Sequence, residues 1–335
     1  YGMVPDHNEG DTEYIYRGPV YDTIYDTGGT DTIDLSYYNI DITFNLNGGT
    51  VSYIGTDVLR ITKPNNTYSG NSYWDDSGFP ISIAENTVIE NLVTGSGNDS
   101  ITCNNVANQI TCGDGMDIVY DISTGDTVLG GGGNDYFHPI TVDFEIIDGG
   151  EGFNYLALNN IEKLGSEINL DDYNNSTFKN IHALSIDNQS ATLLRLSLDS
   201  VLNFNDVEVT LDVDEDGDND YIFYIYADRY KDTILLNSSV WTFYKTITDE
   251  DGLVFDYYTS DGGDTYFAAT NGSGVFGDFT GSESNALSSL TFEENLAHSG
   301  VGLATPVDVD QLSPESSLSY QISGEDASLF YIDSN

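Results

Sequence analysis

The chain has 335 residues and a formal net charge of −47, from 56 acidic and 9 basic residues. That balance excludes nucleic acid and anionic membrane surfaces as partners, because phosphate groups are held by Lys and Arg. Membrane insertion is not expected either, since no apolar run approaches the roughly 20 residues of a span. A hydrophobic content of 39% and an aromatic content of 12% are enough to bury sizeable cores, so the charge does not imply disorder. Asp outnumbers Glu by 40 to 16. A generic acidic surface does not predict that bias, whereas Asp-lined turns that hold divalent cations do. Bound cations would also relieve the self-repulsion of so much negative charge.

The predicted elements are almost all strands. Runs such as ITFNL (42–46), YIFYIY (221–226) and TYFAA (265–269) are rich in β-branched and aromatic residues and are separated by Gly, Asn and Asp clusters. Residues 1–92 form a leading β region that contains EGDTEYIY (9–16), YDTGGTDTIDLS (25–36) and a Tyr- and Asn-rich stretch at 62–80.

Residues 93–157 carry the most informative pattern. TGSGNDSIT (94–102), CNNVANQIT (103–111), CGDGMDIVY (112–120), DISTGDTVL (121–129) and GGGGNDYFH (130–138) follow one another without a gap. Position six reads Asp99, Asn108, Asp117, Asp126 and Asp135; position eight reads Ile101, Ile110, Val119, Val128 and Phe137. Six residues rich in Gly and Asp make a tight turn, because Gly accepts φ > 0 without steric cost. Three more make a short strand whose middle residue points inward. Two nonapeptides then complete one turn of a flattened solenoid, so repeats i and i+2 stack on one edge. Cys103 and Cys112, at position one of consecutive repeats, fall on opposite edges and replace Gly as small residues; no disulfide is expected between them. GGEGFNYLA (149–157) is one more repeat with Asn154 in place of Asp, and PITVDFEII (139–147) has lost the turn ligands and is expected to begin closing the solenoid.

This G-G-x-G-x-D-x-U-x pattern resembles the nonapeptide of RTX proteins, which form a calcium-binding parallel β-roll. Stacked turns offer Asp carboxylates and backbone carbonyls, the hard oxygen ligands that calcium prefers. On one edge Gly95, Gly97 and Asp99 face Gly113, Gly115 and Asp117, which face Gly131, Gly133 and Asp135. That gives two good sites, with Asp117 shared. The other edge offers Asn108 and Asp126, a weaker site.

Residues 1–157 as a whole resemble the C-terminal β domain of serralysin-type secreted metalloproteases, through the GGTDT, IEN and nonapeptide elements in combination. The stretch between Asp11 and Asp26 is shorter than in that family. The resemblance implies one further site framed by Asp11, Asp26, Gly28 and Asp31, and an adjacent one framed by Gly29, Asp31, Val88 and Glu90.

Residues 158–280 are expected to form a separate β-rich module. NIHALSI (180–186) and LRLSLDSVLNF (194–204) loosely resemble a module found after RTX repeats in large bacterial surface proteins; LLRLSLDSVLN (193–203) reads either as one helix or as a strand followed by a turn. In DVDEDGDND (212–220), Asp212, Asp214, Asp216 and Gly217 copy the first half of an EF-hand loop, but the twelfth position is Phe223 rather than a bidentate Glu. This segment is either a weak calcium turn or a solvated acidic hairpin. Residues 281–335 begin with a linker, GSESNALSSL; residues 290–335 resemble the first half of a cadherin-like repeat, with EEN (293–295) and DVD (308–310) where that family has early calcium ligands. Half a sandwich is expected to need a partner strand set, from another copy of the chain or from another surface protein.

No catalytic machinery is identifiable. The four histidines, His7, His138, His182 and His298, are far apart in sequence and no HExxH, G-x-S-x-G or GxxxxGK motif occurs. The abrupt start at Tyr1 and end at Asn335 read as cuts in a longer protein. The expectation is therefore an all-β chain, a parallel β-roll (RTX nonapeptide solenoid) flanked by β-rich modules, binding several calcium ions. Its expected setting is a secreted, extracellular or cell-surface one, where it acts as a structural or adhesive segment. The alternative is the non-catalytic C-terminal region of a serralysin-like zinc protease.

Overall fold

A computed structural model of the protein describes residues 10–18, 20–55, 78–158, 161, 167–170, 177–186, 192–204, 212–217, 219–227, 232–236, 241–249, 252–260, 265–270 and 274–277. The half cadherin-like repeat, its linker and most of the 62–80 stretch lie outside these residues.

The nonapeptides dictate the architecture directly. Each contributes a short strand, and alternate repeats pair in parallel and in register. Ser100–Thr102 pairs with Ile118–Ile122, which pairs with Tyr136–Pro139; Gln109–Asp114 pairs with Thr127–Gly132. Partners along this ladder are 18 residues apart, for example Asp99 and Asp117. Consecutive strands thus belong to two different sheets. The position-eight residues all point between them: Ile101, Ile110, Val119, Val128 and Phe137 are 0–1% exposed. Each also stacks on the equivalent residue one turn away, as Ile101 does on Val119 and Val119 on Phe137. Burying a side chain of this size stabilises by roughly 1.5–3 kcal/mol. Cys103 and Cys112 are free thiols in the same core.

Among the described residues one sheet has seven strands, all parallel, in the order Glu13–Ile15, Thr32–Asp34, Asn91–Val93, Gln109–Asp114, Thr127–Gly132, Ile146–Glu151, Phe178–Lys179. The facing sheet has 13. Its parallel centre runs from Ile42–Asn45 through the nonapeptide strands to Tyr155–Ala157, Ala183–Ser185, Tyr221–Tyr226 and Thr265–Thr270. Antiparallel pairs flank this centre, Val51–Ile54 and Phe79–Ile83 on one side and Val254–Thr259 and Thr242–Thr248 on the other, and Asp22–Ile24 pairs in parallel with Phe79–Ile83 at the first edge.

Two expectations change here. The stacking does not close at 139–147. Ile146–Glu151 pairs with Thr127–Gly132 and carries the seven-stranded sheet onward to Phe178–Lys179. Residues 158–280 are not a module apart either, because their strands extend the 13-stranded sheet, and Tyr1–Gly281 form one compact unit. The physical reason is that a parallel strand end is an unpaired edge. Once the nonapeptides end, less regular sequence still satisfies that edge. A four-stranded parallel sheet, Glu167–Asn169, Leu193–Leu196, Thr233–Leu236 and Gly274–Gly277, then joins the same core through Ile168, Leu194, Leu196 and Ile234. The ambiguous 193–203 segment is strand Leu193–Leu196 followed by helix Leu198–Phe204. No described helix is long and apolar enough to cross a membrane.

Candidate metal centres

The strand register places the position-six aspartates in a column. Each carboxylate reaches back to the turn before it in the stack. The Asp99 N–H donates to Asp117 Oδ1 (2.7 Å), the Asp117 N–H to Asp135 Oδ1 (2.9 Å), and the Ile42 N–H to Asp99 Oδ1 (2.8 Å). One oxygen of each carboxylate is therefore held by backbone. The other is buried and has no partner: Oδ2 of Asp99, Asp117 and Asp135 all lack a hydrogen bond, in residues 0–1% exposed. A buried acceptor without a donor is costly. Three in one column make a stack of buried carboxylates, each with one acceptor oxygen left over.

Backbone oxygens line the gaps between these turns. Gly113 (φ +101°) and Gly115 (φ +131°) lie so close to the preceding turn that a Cβ would sit 1.9 Å from the Gly95 carbonyl oxygen and 2.0 Å from that of Gly97. Gly131 and Gly133 repeat this against the Gly113 and Gly115 carbonyls, at 1.9 and 1.8 Å. Glycine is thus required twice over, by conformation and by space. Gly115→Ala is expected to cost several kcal/mol. Gly49→Ala, at φ +83° with open space around it, tests conformation alone and is expected to cost about 1 kcal/mol. Equal shifts of the denaturant midpoint for the two variants would show that the turns do not stack this closely.

Electrostatics single out the same column. Burial pushes the Asp117 carboxyl up to about 8, with the charges of Asp99, Asp135 and Asp114 adding to it and the Asp99 N–H opposing it. Asp135 is pushed up to about 6 by burial. Asp99 also rises to about 6 through burial, partly offset by the nearby Thr94 hydroxyl and Gly95 N–H; that hydroxyl donates to the Cys112 carbonyl (2.5 Å). Above Asp135 the column turns neutral. The Asp135 N–H donates to Asn154 Oδ1 (2.9 Å) and the Asn154 N–H to His182 Nδ1 (3.2 Å). Burial holds His182 down at about 4, so it is an uncharged acceptor near neutral pH.

The second edge behaves differently. Asp126 Oδ1 accepts from the Asn108 N–H (2.7 Å) and Oδ2 from the Ser123 N–H (2.6 Å), so both oxygens are occupied. The Asn108 amide donates to the Ile89 and Glu90 carbonyls and to Asn104 Oδ1, and its oxygen accepts from the Asn104 N–H. Protein groups fill this gap.

Lower on the second edge, Asp11, Asp26, Gly28, Gly29 and Glu90, named through the serralysin resemblance, meet around Asp31. Gly29 packs on Gly10 and Asp11, with its Cβ position 2.5 Å from the Gly10 carbonyl carbon. Asp11 Oδ1 accepts from the Thr30 N–H (2.8 Å), Asp26 Oδ1 from the Gly28 N–H (3.1 Å), and Glu90 Oε2 from the Asp31 N–H (2.8 Å). Asp31 Oδ1 accepts from the Thr12 N–H (2.9 Å), while its Oδ2 is buried without a partner. Burial pushes Asp31 up to about 6; the Thr12 N–H opposes this, and the charges of Asp26, Glu90 and Asp11 reinforce it. The Val88 side chain is 43% exposed, so Val88 could contribute only its backbone.

A third acidic cluster lies in the 212–217 loop. One carboxylate oxygen from each of Asp212, Asp214 and Asp216 lies within 4.8 Å of the others, and the three could hold a metal ion. Their oxygens already accept the Asp216 and Gly217 N–H groups. Phe223, at the position of the missing Glu, is buried in a strand.

The sequence pattern identified the column aspartates but not what separates them. It shared Asp117 between two sites. In the structure one Asp117 oxygen is tied to the Asp99 N–H and the other is buried without a partner. It also missed a second column at position five, where Asp41 Oδ1 accepts from the Asn98 N–H (2.9 Å), Asn98 Oδ1 from the Met116 N–H (2.8 Å) and Asn134 Oδ1 from the Phe153 N–H (2.8 Å). The recurrence of Asn at 98 and 134 was its only sequence signal. No protein-family model matches this chain, and no curated protein matches it.

Proposed function

We propose that residues 93–157 are a calcium-stabilised β-roll of the RTX kind, preceded at 1–92 by a leading β region of the serralysin C-terminal type, and that the chain is a structural or adhesive segment of a large secreted or cell-surface protein. The observation that carries this is the set of four buried carboxylate oxygens without a donor, on Asp31, Asp99, Asp117 and Asp135. A carboxylate pushed toward neutrality by burial, stacked on its like and beside backbone carbonyls, is an oxygen-only donor set of high charge. Calcium takes six to eight such oxygens and tolerates irregular geometry. In this role Asp99, Asp117 and Asp135 supply charge, the glycine carbonyls of 95, 97, 113 and 115 complete the shell, and Asp31 with Asp11, Asp26 and Glu90 does the same below. Binding to the folded state alone couples calcium to folding, which suits a chain that folds where calcium is plentiful outside the cell. A non-catalytic C-terminal region of a serralysin-like zinc protease is the second reading, favoured by the convergence of Asp11, Asp26, Asp31 and Glu90. HExxH in sequence upstream of Tyr1 would support it.

Chelation tests the calcium reading. With calcium removed, backbone amides of 94–138 are expected to lose hydrogen-exchange protection, while those of 183–185 and 221–226, above the neutral Asn154 and His182, keep it. Equal protection of 94–138 with calcium and with excess chelator would refute the proposal.

A further inference from the structure

The acidic loop at 212–217 lies outside the nonapeptides and the leading β region. One carboxylate oxygen from each of Asp212, Asp214 and Asp216 lies within 4.8 Å of the others. All three can therefore reach one ion at the roughly 2.3–2.6 Å of calcium ligands. Two residues at positive φ, Glu215 (+65°) and Gly217 (+108°), wrap the backbone around them. Counted from Asp212, the ninth residue is Asp220, which is 2% exposed. Its carboxylate is not among the three that converge, but the charges of Asp214, Asp212 and Asp216 all act on it. Its Oδ2 accepts from the Val213 N–H (2.5 Å), which pins the start of the loop. An EF-hand loop often reaches its ninth residue through a water rather than directly.

A second group, on a different strand, points at the same place. Tyr266, in strand Thr265–Thr270, is 0% exposed, and its buried Oη has no hydrogen-bond partner among the described residues. Buried tyrosine hydroxyls usually have one. Thr259, opposite Tyr266 in the sheet, donates its hydroxyl to the Ser260 carbonyl instead (3.1 Å). The charges that act most on the Tyr266 hydroxyl are those of Asp214 and then Asp220. Val213, between Asp212 and Asp214, packs in the same apolar cluster as Tyr266, with Ile222 and Phe255. The ring thus lies against the base of the loop, its hydroxyl near these carboxylates but bonded to none of them. Polar groups held apart in this way are bridged by water.

We propose that one calcium ion binds in this loop, held by carboxylate oxygens of Asp212, Asp214 and Asp216, and that a water on the ion is held by Tyr266 Oη and Asp220. Calcium accepts an irregular set of oxygens, whereas magnesium demands near-octahedral geometry. Without a bidentate Glu at position twelve, the affinity is expected to match that of extracellular calcium modules, roughly 10⁻⁴–10⁻³ M. The ion fastens the loop to the apolar cluster of Tyr266. Strand Tyr221–Tyr226 is paired on both sides and does not need it. The site does not rest on the calcium reading of residues 93–157.

The test is the structure of the full chain crystallised with calcium, with anomalous scattering used to find the ions. A peak about 2.4 Å from one oxygen each of Asp212, Asp214 and Asp216 is expected, with a water between it and Tyr266 Oη. In solution, hydrogen exchange of the 212–217 amides, followed against calcium, is expected to slow with a midpoint of roughly 10⁻⁴–10⁻³ M. Asp214→Asn is expected to lose the peak and raise that midpoint about tenfold or more, since calcium affinity follows the number of charged ligands. Tyr266→Phe keeps the ring in its cluster; it is expected to keep the ion, lose the water and raise the midpoint about threefold, the worth of one hydrogen bond. Ions in the roll with none in the loop overturn this inference and leave the calcium reading of the roll standing. A loop peak that survives Asp214→Asn is an adventitious ion only and overturns it too. A Tyr266→Phe midpoint equal to that of the unaltered chain overturns the role of the tyrosine. A filled loop beside an empty roll supports this inference and overturns the reading of the roll.

Discussion

Asp117→Asn is expected to raise the calcium concentration at the folding midpoint about a hundredfold. The substitution keeps an amide oxygen for the Asp99 N–H and replaces only the unpartnered Oδ2. It therefore removes a charged ligand without breaking the ladder. Removing one member of a buried charge pair costs roughly 3 kcal/mol or more, and each 1.4 kcal/mol is tenfold in binding. The same change should act the opposite way without calcium. Burial and the charges of Asp99 and Asp135 disfavour the ionised Asp117 carboxylate, so the neutral amide is expected to make the metal-free protein more stable near pH 8. Asp126→Asn is the comparison. Both Asp126 oxygens take N–H groups, so an amide NH2 would face a donor and cost roughly 1–2 kcal/mol at any calcium concentration. Calcium titrations followed by circular dichroism separate the two variants. If Asp126→Asn raises the midpoint as far as Asp117→Asn, the assignment of a free oxygen to Asp117 and not to Asp126 is wrong.

The second large effect is a reversal of pH dependence by calcium. Asp117 is pushed up to about 8, and Asp31, Asp99 and Asp135 to about 6, from an ordinary 3.8, burial being the largest cause in each. A carboxyl whose folded value is raised binds its proton more tightly when folded. Its contribution to stability is complete below the unfolded value and is lost as pH rises through the folded one. The metal-free protein should therefore melt at higher temperature near pH 5 than near pH 8. Calcium needs the ionised carboxylates and competes with protons, so the calcium-bound protein should show the opposite slope over that window. General repulsion among 56 acidic residues also favours the lower pH in the metal-free form. Asp117→Asn separates the contributions, because it should remove the column's slope between about pH 6 and pH 8 and only reduce the slope between about pH 4 and pH 6, where the other three carboxyls also titrate. Parallel pH profiles with and without calcium would contradict proton–metal competition in the column.

Much of the sheet architecture was legible in the sequence because the nonapeptide encodes it locally. Glycine permits the turn, three residues make the strand, and one apolar residue at position eight finds the core, so Ile101, Val119 and Phe137 stack without long-range information. The convergence of Asp11, Asp26, Asp31 and Glu90 was reached through motif resemblance rather than periodicity, since nothing in their spacing predicts that a turn at 26–31 packs on Gly10. Tertiary structure decided the rest. Sheet edges propagate pairing by hydrogen bonds that carry no side-chain code, and so the stacking runs past Ala157 into segments with no repeat. Which carboxylate oxygen is free depends on which N–H the neighbouring turn presents. Asp117 and Asp126 occupy the same repeat position, yet Ser123 satisfies the second oxygen of one and nothing satisfies that of the other.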